Sequence, residues 1–253
     1  MELKDSVSII TGGASGLGEA TTRKFHSLGS KVCIFDLDNL RGKNLEKELG
    51  ENCAYFSVDV CNELTLIKAI NSVISRFNKI DINVNCAGIA LAEKTLGKEG
   101  IHDLSKFKKI INVNLIGTFN ILRLCAEKMT ENPLDGNNEK GIIINTASVA
   151  ALEGQKGQVA YAASKGGVAA MTLPIARDLA REHIRCCCIA PGLFLTPMFE
   201  GLGEEVCEAL AKDVVFPKRL GDPNEFAEYA SQIVQNTYIN GSVMRLDGGI
   251  RLA

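Results

Sequence analysis

VSIITGGASGLGEA, from Val7 to Ala20, decides the fold. Val7 to Ile10 read as a buried strand, and the residues from the glycines onward carry a helical pattern that ends near Leu28 and Gly29. The segment is therefore strand, glycine turn and helix. Gly12 permits the sharp turn, Gly16 lets an anion approach the backbone, and Gly18 lets the helix pack closely on the strand. The first amides of the helix have no intrahelical partner and face such an anion. Ser15 and Leu17 offer backbone amides there, and Ser15 also a hydroxyl. An isolated glycine cluster is as readily a flexible turn, but the strand before it and the helix after it favour a dinucleotide pyrophosphate.

Further strands are expected near residues 31–36, 54–58, 81–85, 141–146, 184–189 and 243–246, with helices between them. Such alternation predicts an α/β fold, a single-domain Rossmann-type doubly wound parallel sheet of about seven strands with helices on both faces and residues 1–253 as one domain. The ligand is then expected across the carboxyl ends of the strands where their order reverses. Asp36 closes the second strand, KVCIFD, eighteen residues beyond Gly18. A carboxylate at that place accepts the hydroxyls of an adenosine ribose and repels a 2′-phosphate. Ser15 precedes Gly16 and Leu37 follows Asp36, so no basic residue stands ready for that phosphate, and NAD is the expected cofactor.

Tyr161 and Lys165 stand four residues apart in AYAASKGG, with Ser148 thirteen residues upstream at the end of GIIINTAS. On a helix, positions i and i+4 share a face, so an ammonium at Lys165 can favour phenolate at Tyr161. A tyrosine so assisted can exchange a proton with an alcohol or carbonyl oxygen, while Ser148 supplies a hydroxyl to orient that oxygen. Taken alone, YxxxK is common on solvated helices. The company it keeps here gives it weight.

TGGASGLG (Thr11–Gly18), Asp59 with Val60, NCAG (Asn85–Gly88), Asn114 within VNLIG, then Ser148, Tyr161 and Lys165, and the turn Pro191–Gly192 with Thr196 beyond it, occur in one order along nearly the whole chain. In this the sequence resembles the short-chain dehydrogenase/reductase family. The resemblance implies hydride transfer between a nicotinamide ring and a secondary alcohol or ketone, with Tyr161 as proton donor and acceptor and Lys165 on the nicotinamide ribose. It implies that Ser148 holds the reacting oxygen and that Asn114 holds a water or backbone carbonyl in a proton relay from Lys165. Asp59 and the Val60 amide are expected at the adenine, Cys86 beside the cofactor, and Phe194 and Thr196 at the carboxamide. Gln155, between Ser148 and Tyr161, is either a substrate contact or a solvated loop residue, and His102 reads as a surface residue rather than an acid or base.

Segments such as INTASVAALEGQKGQVAYAASKGG resemble a branch of that family that acts on 3-hydroxyacyl-CoA thioesters and hydroxysteroids. The likeness further implies a homotetramer built on helices at about 105–129 and 158–182, a mitochondrial location, and a second role as a scaffold beside a tRNA methyltransferase in RNA processing. The start, MELKDSVSI, carries both charge signs and no Arg-rich presequence, so the location rests on resemblance alone. An NADPH-dependent 3-oxoacyl-carrier-protein reductase is the alternative enzyme on the same scaffold. The stretch Ile89–Leu104 is expected to be an insertion loop that caps a bulky substrate or a plain surface excursion. Residues 193–218 are expected to form a mobile substrate flap with a short helix near Glu204–Lys212.

Composition bounds rather than sharpens this reading. With 253 residues, 46% of them hydrophobic, and a net charge of −2, the chain can bury a large core and presents no broad basic face for autonomous nucleic-acid binding. No apolar run approaches the ~18 to 20 residues of a membrane span. Nine scattered cysteines without a CxxC pair fit reduced thiols in an intracellular protein, and the alternation of Cys186, Cys187 and Cys188 along a strand keeps them from converging on one metal ion. No metal site is expected. The polar stretch Thr130–Gly141 reads as an exposed loop.

Overall fold

The computed structural model describes residues 1–98, 100–197 and 204–252. Strand β1 (Val7–Thr11) is buried along its whole length, as a central strand covered by helices on both faces must be. Alternate side chains part to opposite sides: Val7 and Ile9 enter one core cluster and Ile10 the other.

From β1 the chain winds outward through α1 (Gly16–Ser27), β2 (Lys31–Asp36), α2 (Asn39–Leu49) and β3 (Cys53–Ser57). Helix α3 (Glu63–Phe77) then returns it to β4 (Ile82–Asn85), which pairs with the opposite side of β1. An insertion follows, holding a hairpin of β5 (Leu96–Gly97) and β6 (Gly100–Ile101), and then α4 (Leu104–Ile111), a π-helical stretch Asn112–Gly117 and α5 (Thr118–Met129). The rest is β7 (Gly141–Thr146), α6 (Val159–Asp178), β8 (Ile184–Pro191), α7 (Glu204–Ala211), α8 (Pro223–Gln235) and β9 (Val243–Leu246). The main sheet runs β3-β2-β1-β4-β7-β8-β9 with every pair parallel. The strands expected from the sequence fall on these seven to within two residues at each end.

Strand order reverses between β1 and β4, so the loops that leave their carboxyl ends diverge and open a crevice. Gly12 follows β1 with φ +63°, and a Cβ there would lie 2.9 Å from the Ala87 amide nitrogen in the loop after β4. The two loops touch at that glycine.

Two stretches depart from expectation. The insertion at 89–104 is not a plain loop, since it carries the β5–β6 hairpin. The segment Thr130–Gly141 is not exposed throughout: Asn132 and Glu139 are buried, and the Asn132 amide donates to the Ile80 and Lys140 carbonyls at 2.7 and 2.8 Å. The part of the expected flap at 198–203 lies outside the described residues. Among the described residues no helix is long and apolar enough to cross a membrane, and no cluster of His, Cys, Asp and Glu is placed to hold a metal ion.

Glu139 meets Arg185 of β8 in a buried ion pair. The Arg185 guanidinium also donates to the carbonyls of Ile233, Val234, Asn236 and Ile239, closing the C-terminal end of α8, where the last carbonyls lack helical partners. Glu139 keeps a second partner in the Met1 ammonium at 2.7 Å, so removing Arg185 leaves the carboxylate with one buried cation instead of two and strips the four carbonyls of their donor. Arg185→Ala is therefore expected to lower the free energy of unfolding by about 3–5 kcal/mol, and an unchanged urea midpoint contradicts this account of the Thr130–Gly141 loop.

Candidate active site

Along the carboxyl ends of the strands lies a cleft of ≈ 420 Å³. Its floor is the glycine turn. Ser15 stands at the N-cap of α1 in extended conformation, but its hydroxyl caps no helix amide, in contrast to Asp38, whose carboxylate accepts from Leu40 and Arg41 at the start of α2. The amides that open α1 are thus available to an anion in the cleft. Gly18 brings α1 onto the turn, since a Cβ there would fall 2.1 Å from the Gly12 carbonyl oxygen. Gly16 has φ +52° and faces Thr196, whose methyl would lie 3.3 Å from a Cβ. The chain after β8 therefore arches over the place expected for the pyrophosphate.

At one end, the Asp36 carboxylate is held by two amides, Oδ2 accepting from Ala14 and Oδ1 from Asp38, both at 3.0 Å. Each oxygen keeps acceptor capacity toward the cleft. Leu37, Asp59 and Val60 line the same end, with Asp59 accepting from the Cys61 amide at 2.9 Å. Cys86 lines the middle, where the Thr146 hydroxyl donates to its sulfur at 3.6 Å. Burial is the main cause that pushes the Cys86 thiol up to about 11, opposed by that hydrogen bond and by the charge of Lys165.

At the other end Ser148, Tyr161 and Lys165 converge from two elements. Ser148 caps the short 3-10 turn Val149–Ala151 that follows β7, is buried, and accepts from the Ala150 amide through Oγ at 3.1 Å, which leaves its own proton to donate. Tyr161 and Lys165 lie one turn apart on α6, with the ammonium 5.9 Å from the centre of the phenol ring. Lys165 is only 5% exposed. Its ammonium donates to the Thr146 carbonyl at 2.6 Å, which fixes α6 to the end of β7. Such an arrangement can shuttle a proton to an oxygen held by Ser148.

Every residue expected at the cofactor lines this cleft, from Gly12, Ser15, Gly16, Leu17 and Gly18 through Asp36, Asp59, Val60 and Cys86 to Phe194 and Thr196. Phe194 does so with its ring committed to the core, edge-to-face on Phe226 at 6.4 Å. Asn114 and Gln155 are not among the lining residues. Asn114 is fully buried in the π-helical stretch, and its amide is taken up by protein: Oδ1 accepts from the Ile89 amide at 2.8 Å, while Nδ2 donates to the Ile89 carbonyl at 2.9 Å and to Ser164 at 3.1 Å. It pins the start of the insertion beside α6. Gln155 is half-buried in its loop, where its backbone N–H donates to the Gln158 side-chain oxygen at 3.0 Å.

Sequence reasoning missed the Thr146 carbonyl, because a backbone acceptor carries no residue signature, and also Ile89 and Pro197, apolar residues that line the cleft. His102 is not a surface residue: it packs edge-to-face on Phe107 in the insertion, with Nδ1 3.1 Å from the Glu93 carbonyl oxygen. The uncapped helix start, the glycine floor too tight for side chains, and the anchored carboxylate at the far end together fit a bound nicotinamide dinucleotide.

The profile of the short chain dehydrogenase family matches residues 6–207. The 3-hydroxyacyl-CoA dehydrogenase type-2 of Homo sapiens is 50% identical over 252 residues, covering 99% of this chain and 97% of that protein. A crystal structure of 3-hydroxyacyl-CoA dehydrogenase type-2 from Mycobacterium avium superposes with a TM-score of 0.94 at 41% identity, over 98% of this chain and 96% of the other. That of 3-ketoacyl-(acyl-carrier-protein) reductase from Brucella melitensis, complexed with NADH, gives 0.87 at 28% identity, over 98% and 99%. With the glycine floor, the buried lysine and its tyrosine in place, the chain belongs to the short chain dehydrogenase family and is an oxidoreductase.

Proposed function

We propose that the protein is an NAD-dependent dehydrogenase that interconverts (S)-3-hydroxyacyl-CoA and 3-oxoacyl-CoA, with room for hydroxysteroids. The observation that carries the chemistry is the buried Lys165 ammonium on the Thr146 carbonyl, one turn from Tyr161, in the same cleft as Ser148 and the glycine floor. The half-identical relatives support the acyl-CoA substrate. Asp36 supports NAD, since its anchored carboxylate opposes a 2′-phosphate.

In oxidation, Tyr161 accepts the proton of the substrate hydroxyl with the Lys165 ammonium beside its ring, and Ser148 donates to the same oxygen. In reduction Tyr161 returns the proton. Lys165 would also bond the nicotinamide ribose of a dinucleotide held in the cleft, which would supply or accept the hydride. Asp59 and Val60 would hold the adenine, and Phe194 and Thr196 would orient the carboxamide. Asn114 acts at one remove, holding Ile89 and Ser164 around Lys165. The exposed apolar side chains Ile116, Phe119, Val159 and Leu173, on or beside α5 and α6, support a homotetramer built on those helices. A mitochondrial location and scaffold service beside a tRNA methyltransferase complete the reading drawn from the family resemblance.

Tyr161→Phe is expected to abolish reduction of acetoacetyl-CoA while NADH still binds; full turnover in that variant overturns the proton-transfer role, and undamaged RNA processing in it identifies the scaffold role as separate. Steady-state kcat/KM is expected to favour NAD over NADP, with Asp36→Asn narrowing the ratio by about tenfold, ~1.4 kcal/mol. A strong NADP preference in the unaltered protein points instead to the NADPH-dependent 3-oxoacyl-carrier-protein reductase. Because its thiol is raised to about 11, Cys86 is neutral at pH 7.5, and its alkylation is expected to accelerate roughly tenfold per pH unit toward that value. NADH is expected to shield it, as followed by peptide mass mapping. Rapid alkylation at neutral pH that NADH leaves unchanged contradicts the placement of the cofactor beside Cys86.

A further inference from the structure

Ser148 opens a tight turn whose other end is Glu153. The Ala151 amide donates to the Ser148 carbonyl and the Glu153 amide to the Val149 carbonyl, both at 3.0 Å, so displacing Glu153 displaces the turn that begins at Ser148. The Glu153 carboxylate is gripped from the far edge of the sheet. Arg245 of β9 engages it with both arms of its guanidinium, Nη1 to Oε1 at 2.8 Å and Nη2 to Oε2 at 3.2 Å, and the Leu252 amide adds a third bond at 3.2 Å. Arg245 is itself held by Asp247, which accepts from Nε at 2.6 Å.

The pair spans an informative distance in the fold. Glu153 follows β7, Arg245 belongs to β9, and β8 lies between those strands, so the link passes over the carboxyl end of β8. That is where Pro191 and Gly192 turn toward Phe194 and Thr196. Arg245 stands in register with Ala190, the Gly192 amide donates to the Leu246 carbonyl at 2.9 Å, and a Cβ on Gly192 would lie 2.8 Å from that of Asp247. The segment that grips Glu153 is therefore packed against the turn that leads to the nicotinamide end. Side-chain exposures of 22% and 23%, with two parallel bonds, set this pair apart from an ordinary solvated ion pair.

We propose that Glu153 and Arg245 form a clip that sets the distance between Ser148 and the nicotinamide end of the cleft, and so act as positioning residues for hydride transfer. The clip rests on the dehydrogenase reading and adds to it. An arginine fork locked on a carboxylate fixes orientation as well as separation, which a lysine in its place cannot do.

The test uses the full-length enzyme, acetoacetyl-CoA and [4-²H]NADH, with Glu153→Gln, Arg245→Lys and the double variant measured beside Tyr161→Phe. Each single variant is expected to lose ~10- to 100-fold in kcat and to show a larger deuterium isotope effect on kcat, while NADH affinity stays within about twofold. The double variant is expected to be no worse than the poorer single, since both break one clip. Arg245→Lys keeps the charge and serves if Glu153→Gln fails to fold. Wild-type kcat and isotope effect in the folded singles overturn the clip, as do losses that add in the double variant or that follow NADH affinity and thermal stability. If Tyr161→Phe is fully active, the dehydrogenase reading itself fails; if Tyr161→Phe is dead while the clip variants are normal, only the clip fails.

Discussion

A charged amine 5% exposed needs a partner, and Lys165 finds one in the carbonyl that ends β7. An ammonium left dry and unbonded would cost several kcal/mol or lose its proton. The bond to Thr146 meets that demand and at the same time fixes the rotation of α6 about its axis. Tyr161, one turn earlier, is then aimed into the cleft rather than along the sheet, and the same strand end that receives the lysine leads within two residues to Ser148. One hydrogen bond thus brings the three reacting side chains together.

The remainder of the cleft is arranged around that fixed point. Strand order reverses at β1 and β4, which opens the crevice, and the glycines after β1 let α1 approach without filling it. Asn114 works on the other side of the lysine: by holding Ile89 and Ser164 it joins the start of the insertion to the catalytic helix. The π-helical stretch in which Asn114 sits is the sort of local irregularity that recurs at functional sites. Glu153 and Arg245 tie the turn that begins at Ser148 to the far edge of the sheet.

The fold was legible in the sequence because β1, β7 and β8 are buried on both faces and carry short apolar runs, while glycine punctuates the turn that matters. The residues at the cleft were legible where a side chain type and a spacing coincide, as with Tyr161 and Lys165 on one helical face or Asp36 at a strand end. What escaped was carried by backbone or by distant partners. Thr146 acts through its carbonyl, which any residue would supply. The Phe194 ring turns to Phe226, a contact no local pattern foretells. Glu139 looks solvated in its polar loop because Arg185 lies 46 residues on, and the two-residue strands of the β5–β6 hairpin are too short for periodicity to register.

The most direct measurement is a crystal structure with NADH and a 3-oxoacyl-CoA analogue bound. Lys165 is expected to keep its bond to the Thr146 carbonyl while donating to the nicotinamide ribose, with the Tyr161 and Ser148 hydroxyls both within ~2.6 to 3.2 Å of the analogue's oxygen opposite the ring. A Tyr161 hydroxyl turned to bulk solvent, or a Lys165 that abandons Thr146 without meeting the ribose, would contradict this arrangement.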